Sequence, residues 1–219
     1  MPDARRRSVP VLLLLTFVAC GVALLAARQF HVAPAPVPKE KEAVAFDETA
    51  LRKLAELLPP PKQLTLPGSA AQWRAAEKEL GSAFPEEYKR IVGLYGCFSV
   101  NQYLRFSTPF GDRDNGLQSD LELLREGEKH SASLNLAHQR VWPEEGGLLP
   151  IASTVNGASL AYRTGGKPDG WTLVVLSREG EVEEHPYGLL EFMTHLADGS
   201  LDSKILLESG DLWEPLTAR

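Results

Sequence analysis

The stretch from Ser69 to Gly96, SAAQWRAAEKELGSAFPEEYKRIVGLYG, predicts two short amphipathic helices joined by a tight turn. Ser69 and Gln72 have the spacing of a capping box at the start of the first helix, and Gly81 is placed to end it. The apolar face of this helix consists of Trp73, Ala76 and Leu80. We expect that face to pack against the rest of the domain.

The second helix of the pair begins near Pro85, which suits a first helical position because it lacks a backbone N–H. Glu86 and Glu87 follow, where the helix dipole favours negative charge. The apolar residues Tyr88, Ile91, Val92 and Tyr95 recur at i, i+3, i+4 and i+7 before Gly96. The pattern indicates a helix with one buried face that ends at the glycine.

Beyond the helix pair the hydrophobic pattern changes to a period of two, which is typical of strands. A first strand region contains Val100, Leu104 and Phe106. A polar loop from Ser107 to Asp120 follows, and loops of this length often carry binding residues. A helix over about 120–126 should then face the core with Leu121 and Leu124.

From Leu148 the chain reads as four short strands separated by glycine-bearing turns, which predicts an antiparallel meander. A last amphipathic helix spans about 188–199 and ends at Gly199. The segment after Leu201 can wrap back onto the domain through Ile205, Leu206, Leu207 and Trp213. We therefore expect an α+β fold, with helices packed on a mainly antiparallel sheet in two layers.

The folded part of the chain is acidic. The 219 residues carry a net charge of −6, but the first 38 hold four arginines and one aspartate, so the remainder has 19 basic and 28 acidic residues and a charge of −9. Such a surface argues against duplex DNA or an anionic membrane as the ligand. It is compatible with a basic protein partner, and also with an ordinary acidic soluble domain.

The N-terminus contains an apolar run, Val9–Ala27, directly after Arg5, Arg6 and Arg7. Its 19 residues would span about 28 Å as a helix, which is close to the thickness of a bilayer core. We expect residues 1–30 to form a single-pass membrane anchor. The positive-inside rule then places the N-terminus in the cytoplasm and the folded domain outside.

Two alternatives remain open for this segment. A cleaved signal would need a small-x-small site, and the candidates after the apolar run are poor. A lipoprotein signal would use Cys20, which Val18 and Ala19 precede, although the apolar run continues past it. Cys97 has no expected disulfide partner within its own domain.

A stalk is predicted between the anchor and the domain, over residues 31–68. Its first part is rich in proline and charge, which favours an extended spacer. Asp47 can then cap a short helix over about 48–58, and the prolines at 59–61 end it. The remaining expected boundaries are a domain over 69–201 and a C-terminal extension over 202–219.

The helix pair resembles the SUKH superfamily, which includes a fungal regulator of cell-wall glucan synthesis and many bacterial immunity proteins. The resemblance rests on Trp73, Glu77, Leu80, Gly81, Phe84, Pro85, Tyr88, Lys89, Tyr95 and Gly96, with Phe84 where the family usually has Leu. The sheet segment adds Pro150, Gly157, Leu160, Gly166, Pro168, Asp169, Trp171 and Val174, and the closing helix adds Leu190, Glu191, Phe192 and Leu196. It covers about 69–201, interrupted over 107–147, and implies a protein-binding module whose motif residues are mainly structural.

No pattern in the sequence predicts catalysis, a cofactor or a metal site. Cys97 follows a helix C-terminus, where the dipole would raise its pKa, so we expect an inert thiol. Asp112 could begin a calcium loop, but Gly116 and Leu117 stand where an oxygen ligand and a glycine are required. The histidines lack ligand spacing.

We therefore expect a non-enzymatic binding protein whose partner is a protein, most specifically a basic toxin or effector domain that it neutralises as an immunity protein. An acidic surface that includes Asp112, Asp114, Asp120 and Glu122 could complement such a partner. The alternatives are a cell-envelope scaffold or regulator of wall synthesis and, more remotely, an extracytoplasmic hydrolase.

Overall fold

The computed structural model describes residues 46–112, 116–130, 139–207 and 217–218. These residues belong to one compact unit. The predicted membrane anchor, Cys20, Asp114 and Trp213 lie outside them. Within the described ranges, no helix combines the length and apolarity needed to cross a bilayer.

The fold is α+β, with six antiparallel strands that follow one another across the sheet in chain order. The helices are α1 (Glu48–Leu57), α2 (Ala70–Leu80), α3 (Glu86–Tyr95), α4 (Leu117–His130), α5 (Leu189–Asp198) and α6 (Lys204–Leu207). The strands are β1 (Phe98–Val100), β2 (Leu104–Phe106), β3 (Leu148–Thr154), β4 (Ser159–Arg163), β5 (Thr172–Leu176) and β6 (Val182–His185). The predicted fold class and antiparallel sheet are confirmed.

The helix pair that opens the domain forms as its sequence indicates. Ser69 and Gln72 make both hydrogen bonds of a capping box, and Gly81 ends α2 in the left-handed conformation with φ 78°. The prediction for Pro85 was off by one position, because Pro85 is the N-cap of α3 and the helix begins at Glu86. A proline cap offers no side-chain acceptor, and a distant residue, Asp169, accepts from the Glu86 N–H instead.

Two downstream elements differ from the sequence expectation. The first strand region is a hairpin of β1 and β2, which Asn101 and Gln102 turn with positive φ angles. The helix expected over about 120–126 is α4, which begins three residues earlier, at Leu117. Leu117 is almost fully buried. Its packing in the core therefore extends the helix into residues 117–119, which the sequence pattern assigned to the polar loop.

One large hydrophobic cluster joins the helices to one face of the sheet. Tyr88 and Tyr95 lie within it and donate their hydroxyls to the carbonyls of Ser107 and Leu58, each at 2.7 Å. Trp73 packs edge-on against neighbouring aromatic rings. These family-motif aromatic residues therefore serve the core while the two tyrosines also satisfy buried carbonyls.

Gly96 is required by the path of the chain before α2. It adopts φ 70° and ψ −150°, and a Cβ at this position would lie 2.3 Å from the Thr65 carbonyl oxygen. The next residue, Cys97, donates its N–H to that same oxygen at 2.6 Å. Only a glycine lets the segment before α2 approach the end of α3 this closely.

The sheet also carries a second, smaller apolar cluster on its opposite face, formed by Leu148, Ala161, Val174 and Leu176. Leu124 of α4 packs against it. The central strands are thus apolar on both faces, which explains the continuous run TLVVL in β5. The expected two-layer description accounts for the main core and omits this second cluster.

His185, on the edge strand β6, is 4 % exposed and packs edge-on against Phe192. Burial lowers the pKa of its imidazole, against the opposing charges of Glu183 and Asp202. The unfolded chain, with an imidazole pKa near the usual value of about 6.5, therefore binds a proton at a higher pH than the folded chain does. Folding is consequently linked to the neutral form of His185.

We predict that the free energy of unfolding falls as the pH falls from 7 to 5, because His185 must lose a proton to fold in that range. His185→Gln should flatten this slope, as measured by urea denaturation at several pH values. His195→Gln is the matched control, since that side chain is one-third exposed. Equal slopes for the wild type and His185→Gln would contradict the prediction.

Candidate partner-binding groove

A groove of about 540 Å³ lies between α1 and α5. One side is lined by Phe46, Asp47, Ala50 and Lys53 at the start and along one face of α1. The other side is lined by α5 residues, including Leu190, Glu191, Thr194, His195 and Asp198. The first turn of α3 and Asp169 of the β4–β5 loop complete it.

Three helices begin at this groove, and a carboxylate caps each of them. Asp47 accepts the Thr49 and Ala50 N–H groups of α1 at 2.8 and 3.1 Å. Asp169 accepts the N–H of Glu86 in α3 at 2.7 Å, across 83 residues of sequence. Carboxylates at helix N-termini satisfy unpaired donors and complement the helix dipole.

Glu87 of α3 provides the third cap by accepting the Leu189 and Leu190 N–H groups of α5 at 2.8 and 3.1 Å. The N-cap residue of α5 is Gly188, which has no side chain to do this. A Cβ on Gly188 would lie within 2.6 Å of both carboxylate oxygens of Glu87. The glycine therefore makes room for a cap that another helix supplies.

Glu86 faces the groove but is tied to its own helix. Its carboxylate accepts from Arg90 Nε at 2.8 Å and lies 3.3 Å from Lys89 Nζ. Partial burial would raise the pKa of Glu86, but the hydrogen bonds from Arg90 and Lys89 outweigh it and hold that pKa below its usual value. The Arg90 guanidinium also lies 5.4 Å from the centre of the Phe46 ring.

Glu191 and Asp198 are the two groove carboxylates on the exposed face of α5. Glu191 is 61 % exposed and lies 3.7 Å from His195 Nε2. Hydrogen bonds from Ser200 hold the pKa of Asp198 below its usual value, and the charges of His195 and Lys53 add to this effect. Both carboxylates are open to solvent.

The groove as a whole is negative around an apolar floor. Its lining contains six carboxylates and one lysine, a net charge of −5 while His195 is neutral. The dipoles of the three helix N-termini offset part of this, at roughly half a charge each. Phe46, Ala50 and Leu190 supply the apolar surface. Such a site can accept a cationic side chain together with its aliphatic stem.

Of the four acidic residues predicted from the sequence, the three that the structure describes do not line this groove. Asp112 and Glu122 are exposed, and Asp114 lies outside the described residues. Asp120 is 8 % exposed, accepts from Arg105 Nη2 at 2.9 Å and is hydrogen-bonded to the Ser107 hydroxyl. The carboxylate of Asp120 is therefore occupied by these interior contacts. A role for Asp112 and Glu122 in binding stays a prediction.

Sequence reasoning recognised Asp47, Glu86 and Glu87 as helix-start residues but did not bring them together with Asp169 and Asp198. Local spacing carries no signal for a contact such as that between Asp169 and α3. The polar face of α5 could have been predicted from the sequence, because Glu191, His195 and Asp198 recur at helical spacing beside the apolar face.

The described residues bear on two other kinds of chemistry, metal binding and thiol reactivity. Among these residues, no group of three or more His, Cys, Asp or Glu side chains is arranged to hold a metal ion. Cys97 is half-buried, and its Sγ lies 3.4 Å from the Phe106 carbonyl oxygen. Burial raises the pKa of the Cys97 thiol, which disfavours the reactive thiolate.

Glu87→Ala should lower the free energy of unfolding by about 1–3 kcal/mol, because it removes both hydrogen bonds at the start of α5. Glu87→Gln keeps one acceptor oxygen and should cost less. Glu86→Ala is the neighbouring control, and it loses only partly exposed ion pairs worth about 0.5 kcal/mol. Chemical denaturation followed by tryptophan fluorescence measures all three; equal costs at positions 86 and 87 would contradict the capping role.

Comparison with known families gives one match, and it covers the helix pair, the sheet and the first half of α5. The family model SUKH_6, described as SMI1-KNR4 cell-wall, matches residues 70–193, more than half of the chain. The comparisons with curated proteins and with solved structures give no match. The matched range contains the positions on which the sequence resemblance rested, except Leu196. The chain belongs to the SUKH family.

Proposed function

We propose that this protein is a membrane-tethered binding module whose α1–α5 groove receives a basic segment of another protein. The observation that carries the proposal is the net charge of −5 around an apolar floor. SUKH domains are in general binding modules for protein partners. Complementary charge would accelerate encounter with a basic partner, and burial of its aliphatic stems would prolong the complex.

The most specific form of this function is immunity, in which the domain neutralises a toxin by occupying its surface. Nuclease-type and other toxins that act on anionic substrates carry basic surfaces, which an acidic groove can cover. The predicted anchor over Val9–Ala27 would place the domain outside the cytoplasm. The toxin it meets would therefore act at, or pass through, the cell envelope.

A second candidate is an envelope scaffold or regulator of wall synthesis. It is favoured by the cell-wall description of the matching family and by the proline-rich stalk after the predicted anchor. A tether of this kind holds a binding module at a fixed reach from the membrane. The two candidates share the groove and differ in the partner.

Reversing two groove charges should abolish tight binding. In a pull-down of the secreted effectors encoded beside this protein, Glu191→Lys with Asp198→Lys should weaken capture of the bound effector at least about tenfold, because two favourable charge pairs become repulsive. Asp112→Lys with Glu122→Lys changes the charge equally on the other acidic surface. If only the variant with Asp112→Lys and Glu122→Lys lost capture of the effector, the binding face would be assigned to that surface and not to the groove.

Growth phenotypes separate immunity from the scaffold role. A deletion strain that becomes sensitive to a sibling strain producing the effector supports immunity. Wall stress of the deletion strain in pure culture supports the scaffold. If no co-encoded effector is captured and neither phenotype arises, both forms of the proposal fail.

The orientation of the anchor has its own test. A reporter enzyme that is active only outside the cytoplasm, fused after Arg219, should be active in cells, because three arginines precede the apolar run. Replacing Arg5, Arg6 and Arg7 by glutamate should lower that activity. A silent reporter on the unchanged protein would overturn the proposed topology.

A further inference from the structure

The carboxylates of the groove differ in how they are held, and those on α5 are the most exposed to solvent. Asp47, Glu87 and Asp169 each accept backbone N–H groups at a helix start, so their charge is largely matched by helix dipoles. Glu191 and Asp198 lie on the exposed side of α5, where Oδ1 of Asp198 accepts from the N–H and hydroxyl of Ser200. The negative charge that a partner encounters is therefore concentrated at two points.

The distance between these two points is set by helix geometry. Glu191 and Asp198 are seven residues apart on one α-helix, which corresponds to about 10 Å along the axis and to nearly the same face. Thr194 and His195 lie between them on the same face of α5, and Thr194 donates its hydroxyl to the Leu190 carbonyl at 2.8 Å.

We infer that the groove takes the basic face of a partner helix on which two cationic side chains, preferably arginines, lie seven residues apart, one paired with Glu191 and the other with Asp198. This inference rests on the proposed function and names the chemistry of its partner. A helix reproduces the spacing of α5 because its residues i and i+7 are also about 10 Å apart on one face. Arginine adds a planar fork that can bind a carboxylate in two places.

Other backbone conformations match less well. In a strand, residues on one face are about 7 or 13 Å apart. A polyproline segment with basic residues three positions apart would span about 9 Å and is the runner-up. The helix matches the rise of about 10 Å between Glu191 and Asp198 more closely than the polyproline segment does.

Lys53 makes the Asp198 end of the groove less favourable for a partner cation than the Glu191 end. It is the one lysine in the lining, it lies on α1, and its charge acts on Asp198. A partner cation at Asp198 must share that carboxylate with Lys53, while among the described residues the ion-pair neighbour of Glu191 is His195. Lys53→Gln should therefore tighten binding of a cationic helix about threefold, as expected for removal of one exposed repulsive charge.

The test uses two helical peptides of identical composition, each with two arginines in an alanine–glutamine background, spaced either seven or five residues apart. Five residues place the arginines about 140° apart around the helix, so only one can reach the groove. Binding to the full-length protein in detergent is measured by fluorescence anisotropy at low and physiological salt. The seven-residue peptide should bind about fivefold tighter, the worth of one exposed ion pair.

Variants of the groove carboxylates test whether Glu191 and Asp198 cause the difference in affinity between the two peptides. Glu191→Gln with Asp198→Gln should remove the preference for the seven-residue spacing, while Glu79→Gln, an exposed carboxylate of α2, should leave it unchanged. Equal binding of both peptides, with both weakened by the double variant, would overturn the spacing inference and leave the basic-partner function standing. Tighter binding of an extended peptide with arginines three apart would assign the groove to a polyproline segment and overturn the helix. Failure of every cationic peptide to bind, together with no capture of a basic effector, would remove the proposed function itself.

Discussion

The structure depends on helix starts that are capped from a distance. Asp169 in the β4–β5 loop caps α3, and Glu87 in α3 caps α5. An unpaired N–H at a partly buried helix start costs free energy, so each cap holds its helix against the element that supplies it. The sheet, α3 and α5 are thereby fixed relative to one another. Gly188 belongs to the same constraint, because a side chain there would displace Glu87.

The same interactions build the groove and shape its electrostatics. Because three helices begin beside it, carboxylates collect there for structural reasons, and their charge is partly balanced by the helix dipoles. The exposed α5 face adds two carboxylates whose partners lie in that same region: His195 beside Glu191, and the N–H and hydroxyl of Ser200 on Asp198. The acidic lining thus combines carboxylates that cap helices with two carboxylates on an exposed helix face. This separation between structural and available charge is the basis of the proposed binding chemistry.

Most of the fold was predictable because its signals are local. The capping box at Ser69, the left-handed glycine Gly81 and the spacing from Tyr88 to Tyr95 specify two helices without reference to the rest of the chain. The meander from Leu148 was equally clear. The two misplaced details, the start of α4 and the position of Pro85, both depend on residues far away in sequence: Leu117 is drawn into the core, and Asp169 replaces the missing cap.

The amino-acid sequence by itself determined the helix pair, the antiparallel meander, the acidic character of the domain and its family. It also identified Asp47, Glu86 and Glu87 as residues suited to helix starts. Only the tertiary structure decided that these carboxylates meet Asp169 and Asp198 around one groove, and that Asp120 turns inward to Arg105. The physical reason is that capping and periodicity act over a few residues, whereas the groove is made by side chains that chain folding brings together from separate elements.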